Sequence, residues 1–406
     1  MAVRVSKPEF NLREKISELD KPTGVKGLDL MRSETAQDAR NLIGAGRKNK
    51  VINGDMRISQ RGTSFSGITG TQQVYTLDRF KLQCNDLDQV VTTVSQDSSA
   101  PDGFSKSLKI QCTTAETSVE DYEHARLIYD GEGFDFTDIG FGTPSAKKVT
   151  LSFWVKSNLT GTWGLNFWRG DANRSNLRTY NINEANTWEH KVITLSPDTT
   201  GGVVNSDNGY GLRVNWGLAT GANFATSHAL DTWHSFNQSY FYPYDSRKTN
   251  LFSSTSNNFY LTGVQLEVSD VATEFEHRPY AEELKLCERY YEVHWQNHNP
   301  NNPAGAHNDG YNAIAAGGVS GSKAYFPFKF RTQKRASPTI SYSGKFRISG
   351  GSGSGSNIEP DEFYSTGIDG GRIRVPQSGG SNGDGMWIEF DGGNSTSGYI
   401  AVSAEL

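Results

Sequence analysis

Only 3 cysteines and 4 methionines occur among the 406 residues. Cys84, Cys112 and Cys287 lie far apart without Cys-x-x-Cys spacing. This excludes a disulfide framework and reads as small buried thiols. No apolar stretch approaches the ~18 residues of a membrane span, and the opening Met1–Phe10 lacks the apolar core of a signal peptide. A chain made in a cytoplasm and not exported by the ordinary secretory route is expected. Strongly periodic helix is scarce. Motifs that would license an enzyme are mostly missing too: there is no His-Glu-x-x-His, and the Gly-x-Ser-x-Gly spacing of Gly379–Gly383 falls in a Gly/Ser/Asn run without the strand-to-helix context of a nucleophile elbow. Gly317–Lys323 imitates a phosphate loop but has three residues between its glycines where four are required, and Gly351–Gly355 is low-complexity sequence. The chain therefore reads as non-enzymatic and without a cofactor.

What is present is turn and strand. The chain has 43 glycines and an apolar fraction of 35%, an ordinary globular balance once glycine is added. The net charge of −5 gives no reason to expect nucleic acid. Its distribution is uneven. Residues 1–50 hold 11 Lys+Arg against 7 Asp+Glu, whereas the remainder holds 29 against 38. A basic arm on an acidic body suggests that the arm docks onto something.

Residues 1–50 carry too little apolar surface for a core. They read as an extended arm with one short helix over Ser33–Ile43, stopped by Gly44 and Gly46. Phe10, Leu12, Arg13 and Ile16 are its candidate docking residues. From 51 to 280 the period is two. Val149, Leu151, Phe153 and Val155 alternate with Thr150, Ser152, Trp154 and Lys156, so Phe153 faces in and Trp154 faces out. Similar runs at Tyr75–Leu82, Leu108–Cys112, Ala125–Tyr129, Gly164–Trp168, Trp188–Leu195, Gly211–Trp216 and Asn258–Val268 predict a jelly-roll β-sandwich. A linking helix is expected over 281–294, with Leu284, Cys287 and Tyr291 on one stripe. Residues 295–406 form a smaller C-terminal β-sandwich. In it Tyr325–Phe330 puts three Phe on one face, Thr339–Tyr342, Arg372–Val375, Met386–Phe390 and Tyr399–Ala404 are strands, and Gly350–Ser356 is a mobile loop. The fold class is mainly β throughout.

Few residues suggest chemistry. His294, His298 and His307 cluster in sequence, but Asn297, Asn299 and Pro300 end any helix there, so they read as polar loop histidines or a ligand cluster. Asp130, Glu132, Asp135 and Asp138 read as a solvated acidic turn, with a structural calcium as the sharper alternative. Trp154, Trp163, Trp168 and Trp295 are either packing or platforms that could stack on a pyranose. Arg169-Gly170-Asp171 reads as a turn.

Two blocks carry a resemblance. Val51-Ile52-Asn53-Gly54-Asp55-Met56-Arg57-Ile58-Ser59-Gln60-Arg61-Gly62, followed by Tyr75–Phe80, resembles the opening of the β-sandwich domain in many bacteriophage tail-fibre and virion structural proteins. Phe259–Val268, then Ala272-Thr273-Glu274-Phe275-Glu276-His277-Arg278, resembles its closing strand, and Cys287-Glu288-Arg289-Tyr290-Tyr291 is similar to the element that follows. Ala404-Glu405-Leu406 is similar to the endings of phage fibre proteins, and Ser6–Lys15 to N-termini in phages of marine bacteria. The same strands resemble carbohydrate-binding modules of the galactose-binding-like type.

The resemblance implies a phage tail fibre or adhesin on the virion, synthesised in the host cytoplasm. Its N-terminal arm would meet tail, adaptor or nozzle proteins, and its C-terminal domain a host surface glycan or outer-membrane receptor. A homotrimer follows by the same analogy, with Leu284, Cys287 and Tyr291 toward the axis. Recognition is expected from the loops Trp295–Asn312 and Gly350–Asp361, with Trp295, His298, His307, Asp309 and Tyr311 as candidates. The alternative is a capsid decoration or collar protein without receptor binding.

Overall fold

The computed structural model describes Leu30, Arg32 and residues 48–237, 242–243, 249–294, 315–350, 353–365, 367–377, 381–390 and 399–406. Met1–Asn49 and Lys50–Leu406 are separate compact units. The expected helix Ser33–Ile43 and the docking candidates Phe10, Leu12, Arg13 and Ile16 lie outside the described residues. The second unit is mainly β.

Its first fifteen strands in chain order are β1 Ser64–Thr69, β2 Gln73–Tyr75, β3 Phe80–Asn85, β4 Val91–Asp97, β5 Ser107–Thr114, β6 His124–Glu132, β7 Val149–Ser157, β8 Gly161–Arg169, β9 Arg174–Ile182, β10 Glu189–Leu195, β11 Tyr210–Thr220, β12 Ala225–Thr226, β13 Trp233–Ser235, β14 Tyr242–Pro243 and β15 Asn258–Glu267. Thirteen of them form a front sheet in the order β1-β4-β5-β15-β7-β10 and a back sheet in the order β13-β9-β8-β11-β6-β3-β2, and β12 pairs with β14 alone. The alternation on β7 falls as its sequence predicts: Leu151, Phe153 and Val155 are fully buried and Trp154 is half-exposed. Leu108, Ile110, Phe259 and Leu261 from the front sheet meet Leu165, Phe167, Val214 and Trp216 from the back, so the core lies between the sheets.

Four elements differ from expectation. Tyr75–Leu82 is not one strand. A turn over Thr76–Arg79 splits it, closed by Phe80 N–H donating to Leu77 O at 2.9 Å, with Arg79 at φ 71°. β9 escapes the sequence reading because Arg174-Ser175-Asn176-Leu177-Arg178-Thr179-Tyr180 has little apolar alternation; its pairing with β8 over nine residues decides it. The linking helix, α1, covers Tyr280–Glu288 only. Its expected last turn is instead strand β16, Tyr291–His294, because Tyr291 and Val293 pair with Ser403 and Ala401 of the C-terminal strand Tyr399–Ser403. Finally, Gly353–Ser356 is not loop but part of strand Gly353–Ile358, hydrogen-bonded to Phe346–Gly350 in a hairpin.

The C-terminal region has a seven-stranded and a three-stranded sheet around a second core that includes Phe326, Phe328, Phe346, Ile373, Ile388 and Val402. Phe326, Phe328 and Phe330 are all buried on one face, as the sequence predicts.

Candidate functional face

Along β5, Lys109 points away from the core between Leu108 and Ile110. Along β15, Tyr260 and Thr262 do so between Phe259 and Leu261; along β7, Trp154 and Lys156. Register then assembles them. Tyr260 lies opposite both Lys109 and Lys156, Thr262 opposite Trp154, and Trp154 opposite His190 of β10. Cross-strand neighbours on one face are close enough for ring and ammonium contacts.

The result is a band of rings across the outer face of the front sheet. The Lys156 ammonium sits 4.2 Å from the Tyr260 ring centroid and 5.1 Å from that of Trp188, while Lys109 approaches Tyr260 from the other side at 5.4 Å. Trp188 and Tyr260 meet edge to face at 6.0 Å. The Trp154 ring lies 5.1 Å from that of His190. Beyond β15 the band continues through Phe104, 5.0 Å from Phe275 and 5.3 Å from His277. Gly263 is the floor between its two halves. It has φ 61°, and a Cβ there would stand 2.8 Å from the Phe104 ring and 2.9 Å from Trp154. A side chain at 263 would therefore be strained by its backbone and would push the two rings apart.

These rings are half-exposed, and His190 and His277 are exposed. Burial depresses the pKa of the His190 imidazole, and it also lowers that of Lys156, with Asp97 opposing and Lys109 adding to the effect. A flat aromatic band edged by hydrogen-bond donors can stack on the C–H faces of sugar rings while ammonium groups meet their oxygens.

The outer face of the back sheet is built differently. Asp130 of β6 accepts from Arg213 of β11 and from Lys81 of β3 at 3.2 Å, and all three side chains are largely buried. Burial opposes ionisation of Asp130, yet Arg213 and Lys81 hold its carboxyl below the usual range. Alongside, Arg126 donates to Gln83 at 2.9 Å and Asn215 to Asn166 at 3.0 Å. Tyr242 of β14 packs over Gly217, and the His124 ring lies 4.2 Å from Phe224. Burial and Arg126 push the His124 pKa down to about 3. This face is filled by the protein's own side chains.

The acidic run is therefore corrected. Asp130 and Glu132 are not a solvated turn but buried strand residues. Glu132 takes both ends of the Arg289 fork at 2.8 Å, and Asp138 pairs with Lys50 at 2.7 Å. Asp135 lies in a short helix after β6. Among the described residues no three His, Cys, Asp or Glu are placed to hold a metal ion. The expected stripe of Leu284, Cys287 and Tyr291 is not kept as one helical face. Cys287 is fully buried against Ile52 and Ile58 of its own chain, with Leu284 packed on the same cluster, and burial drives the thiol pKa far up. Tyr291 has left the helix and lies beneath the Arg61 guanidinium at 3.5 Å. Trp163 is buried packing, whereas Trp168 meets Tyr210 and Phe236 at 5.6 Å each. Trp295, His298, His307, Asp309 and Tyr311 lie outside the described residues.

The resemblance blocks have an architectural explanation. The Asn53 side chain donates to the carbonyls of Ile58 and Asp78 at 2.9 Å, and its backbone N–H meets Glu283 of α1. Glu283 also takes Arg278 at 3.2 Å. Gln265 donates to Glu267 and accepts from the Glu276 N–H, and Glu267 holds the Thr273 N–H and hydroxyl. The turn at Asn53 and the segment after β15, through Arg278, are thus tied to α1 by buried polar bonds. The aromatic band itself was only partly visible: alternation turns Trp154 outward, but Tyr260, Phe104 and Phe275 are brought together by register and by loops.

No protein-family model matches the chain, and no curated protein does. Among solved structures it is similar to the enzymatically active domain of bacteriophage CBA120 tailspike protein 4, at 13% identity and a TM-score of 0.28. That match covers 54% of this chain and 21% of the tailspike's. It is also similar to the family 11 carbohydrate-binding module of Clostridium thermocellum in complex with a β-1,3-1,4-mixed-linked tetrasaccharide, at 10% identity and a TM-score of 0.26, covering 53% of this chain and 99% of the module. A third likeness is to a carbohydrate-binding module in complex with β-1,4-galactotriose, at 7% identity and a TM-score of 0.26, over 55% of this chain and all of the module. The chain spans about a fifth of the tailspike chain it matches. The functional reading rests on the residues of the open face.

Proposed function

We propose that the protein is a non-enzymatic, glycan-binding structural protein of a phage virion, a tail fibre or adhesin assembled as a homotrimer. The observation that carries glycan binding is the band Trp188–Tyr260–Trp154–Phe104 on the open front sheet, half-exposed and edged with donors. A band of large half-exposed rings on one face is the kind of patch that a ligand or partner covers. The fibre assignment is supported by the opening and closing blocks, which here do the work of holding α1 to the sandwich. In this reading the basic arm docks on the particle and the front sheet contributes a glycan-binding face in addition to the C-terminal loops.

Adsorption of purified full-length protein to host cells, compared with Trp188→Ala and Tyr260→Ala, tests it. Loss of adsorption in variants that melt as wild type supports the reading; unchanged adsorption overturns the assignment of this face. Light scattering tests the trimer, expected at about three times 44.7 kDa. Immunogold labelling at the head or neck would favour a decoration or collar protein.

A further inference from the structure

On the open face the charged groups that contact the Tyr260 ring are lysines. Lys109 and Lys156 flank Tyr260, and among the described residues neither has an ion-pair partner. Lys156 donates instead to the Ser99 hydroxyl at 2.6 Å. Asp97 is the carboxylate that acts on Lys156 electrostatically, and it accepts the Ser99 backbone N–H at 2.7 Å. By contrast, the buried cations Lys81, Arg169 and Arg213 all sit against carboxylates. Two ammonium groups with no carboxylate in ion-pair contact among the described residues, on either side of a ring that can stack on a sugar, are suited to a sugar that brings its own anion.

Resting on the glycan reading above, we propose that this face binds an acidic polysaccharide of the polyuronate class, its sugar rings on the Trp188–Tyr260 band and its carboxylates at Lys109 and Lys156. A nucleic acid is the poorer fit. Its phosphates follow one another far more densely than two lysines can match, and residues 51–406 carry 38 acidic against 29 basic side chains. A uronate polymer spreads its carboxylates one per ring or one per disaccharide, at the spacing of the sugars themselves.

The test uses full-length protein on immobilised polygalacturonate, alginate and hyaluronate, with methyl-esterified polygalacturonate as the uncharged counterpart, a panel of neutral glucans and galactans, and single-stranded DNA. Binding to at least one polyuronate, at least 10-fold weaker binding to the methyl ester where polygalacturonate is the ligand or to the neutral panel otherwise, and weakening between 50 and 500 mM salt are the expected results. Lys109→Gln with Lys156→Gln should erase the preference for the acidic form, while the double Lys→Arg variant should keep it. Trp188→Ala should weaken the acidic and uncharged forms together. Equal binding of acidic and neutral polymers, or of neutral ones alone, overturns the polyuronate assignment and leaves glycan binding standing. No binding to any polysaccharide overturns both. Tighter binding to the DNA overturns the proposal in favour of nucleic acid. Melting curves of each variant confirm that it is folded.

Discussion

The two outer faces of the sandwich share one core and are made by the same alternation, yet they spend their outward residues differently. On the back sheet Lys81, Asp130, Asn166 and Asn215 are buried and Arg213 is largely so, with Asp130 bonded to Lys81 and Arg213 and Asn215 bonded to Asn166. On the front sheet Trp154, Trp188, Tyr260 and Phe104 stay half in water, and the lysines among them lack carboxylate partners among the described residues. Removing the partner of a buried charge is costly, whereas exposed rings cost little to trim. The back face should therefore govern stability and the front face binding.

The largest expected effect breaks the back face. Asp130→Ala leaves Lys81 and Arg213 as uncompensated charges in a buried setting, at a cost of about 3–5 kcal/mol. Chemical denaturation should show the midpoint fall steeply. A change below about 1 kcal/mol would mean that water reaches this face after all.

Acid acts on the same side. The His124 pKa is depressed to about 3 by burial and Arg126, so the folded protein binds fewer protons than the unfolded chain between that value and about 6.5. Stability present above pH 6.5 is lost as pH falls toward 3, by up to about 1.4 kcal/mol per pH unit from this group. Asp130 adds a second loss at lower pH, as its carboxyl, normally near 3.9, is protonated. Melting temperatures from pH 7 to 4 should decline, and His124→Phe should flatten the upper part of that decline. An unchanged slope in the variant would place the acid sensitivity elsewhere.

Gly263→Ala joins the two comparisons. The residue is at φ 61° and a Cβ would strike Phe104 and Trp154, so a cost of about 1–3 kcal/mol is expected together with a loss of glycan binding, since the two halves of the band must part. Stability lost with binding intact would make Gly263 a folding residue only.

Much of this division was legible in sequence and some was not. Period two on β7 settles which way Trp154 and Phe153 point, and the three-Phe run Phe326–Phe330 settles the C-terminal core. The acidic run misled because Asp130 and Glu132 look like loop residues between glycines; their partners Lys81, Arg213 and Arg289 come from 49, 83 and 157 positions away. The helix was read too long because Tyr290, Tyr291 and Val293 suit a helical stripe as well as a strand, and only the partner strand Tyr399–Ser403 decides. Gly353–Ser356 has loop composition but pairs through backbone alone. Phe104 and Phe275, from two separate loops, meet edge to face, and Phe104 faces Trp154 across Gly263, which no local pattern announces.

The smallest effect sharpens what the front face recognises. Tyr260→Phe keeps the ring between Lys109 and Lys156 and removes only its hydroxyl, whereas Tyr260→Ala removes the platform and leaves two lysines facing each other. If the ring works by stacking, the Phe variant should bind its glycan within about 2–3-fold of wild type and the Ala variant about 10-fold or more weaker, with both within about 1 kcal/mol of wild-type stability. Calorimetric titration of both variants decides it. Equal losses in the two would show that the hydroxyl hydrogen-bonds the ligand, and the face would then discriminate sugars by their oxygen pattern more than by their flat C–H surface.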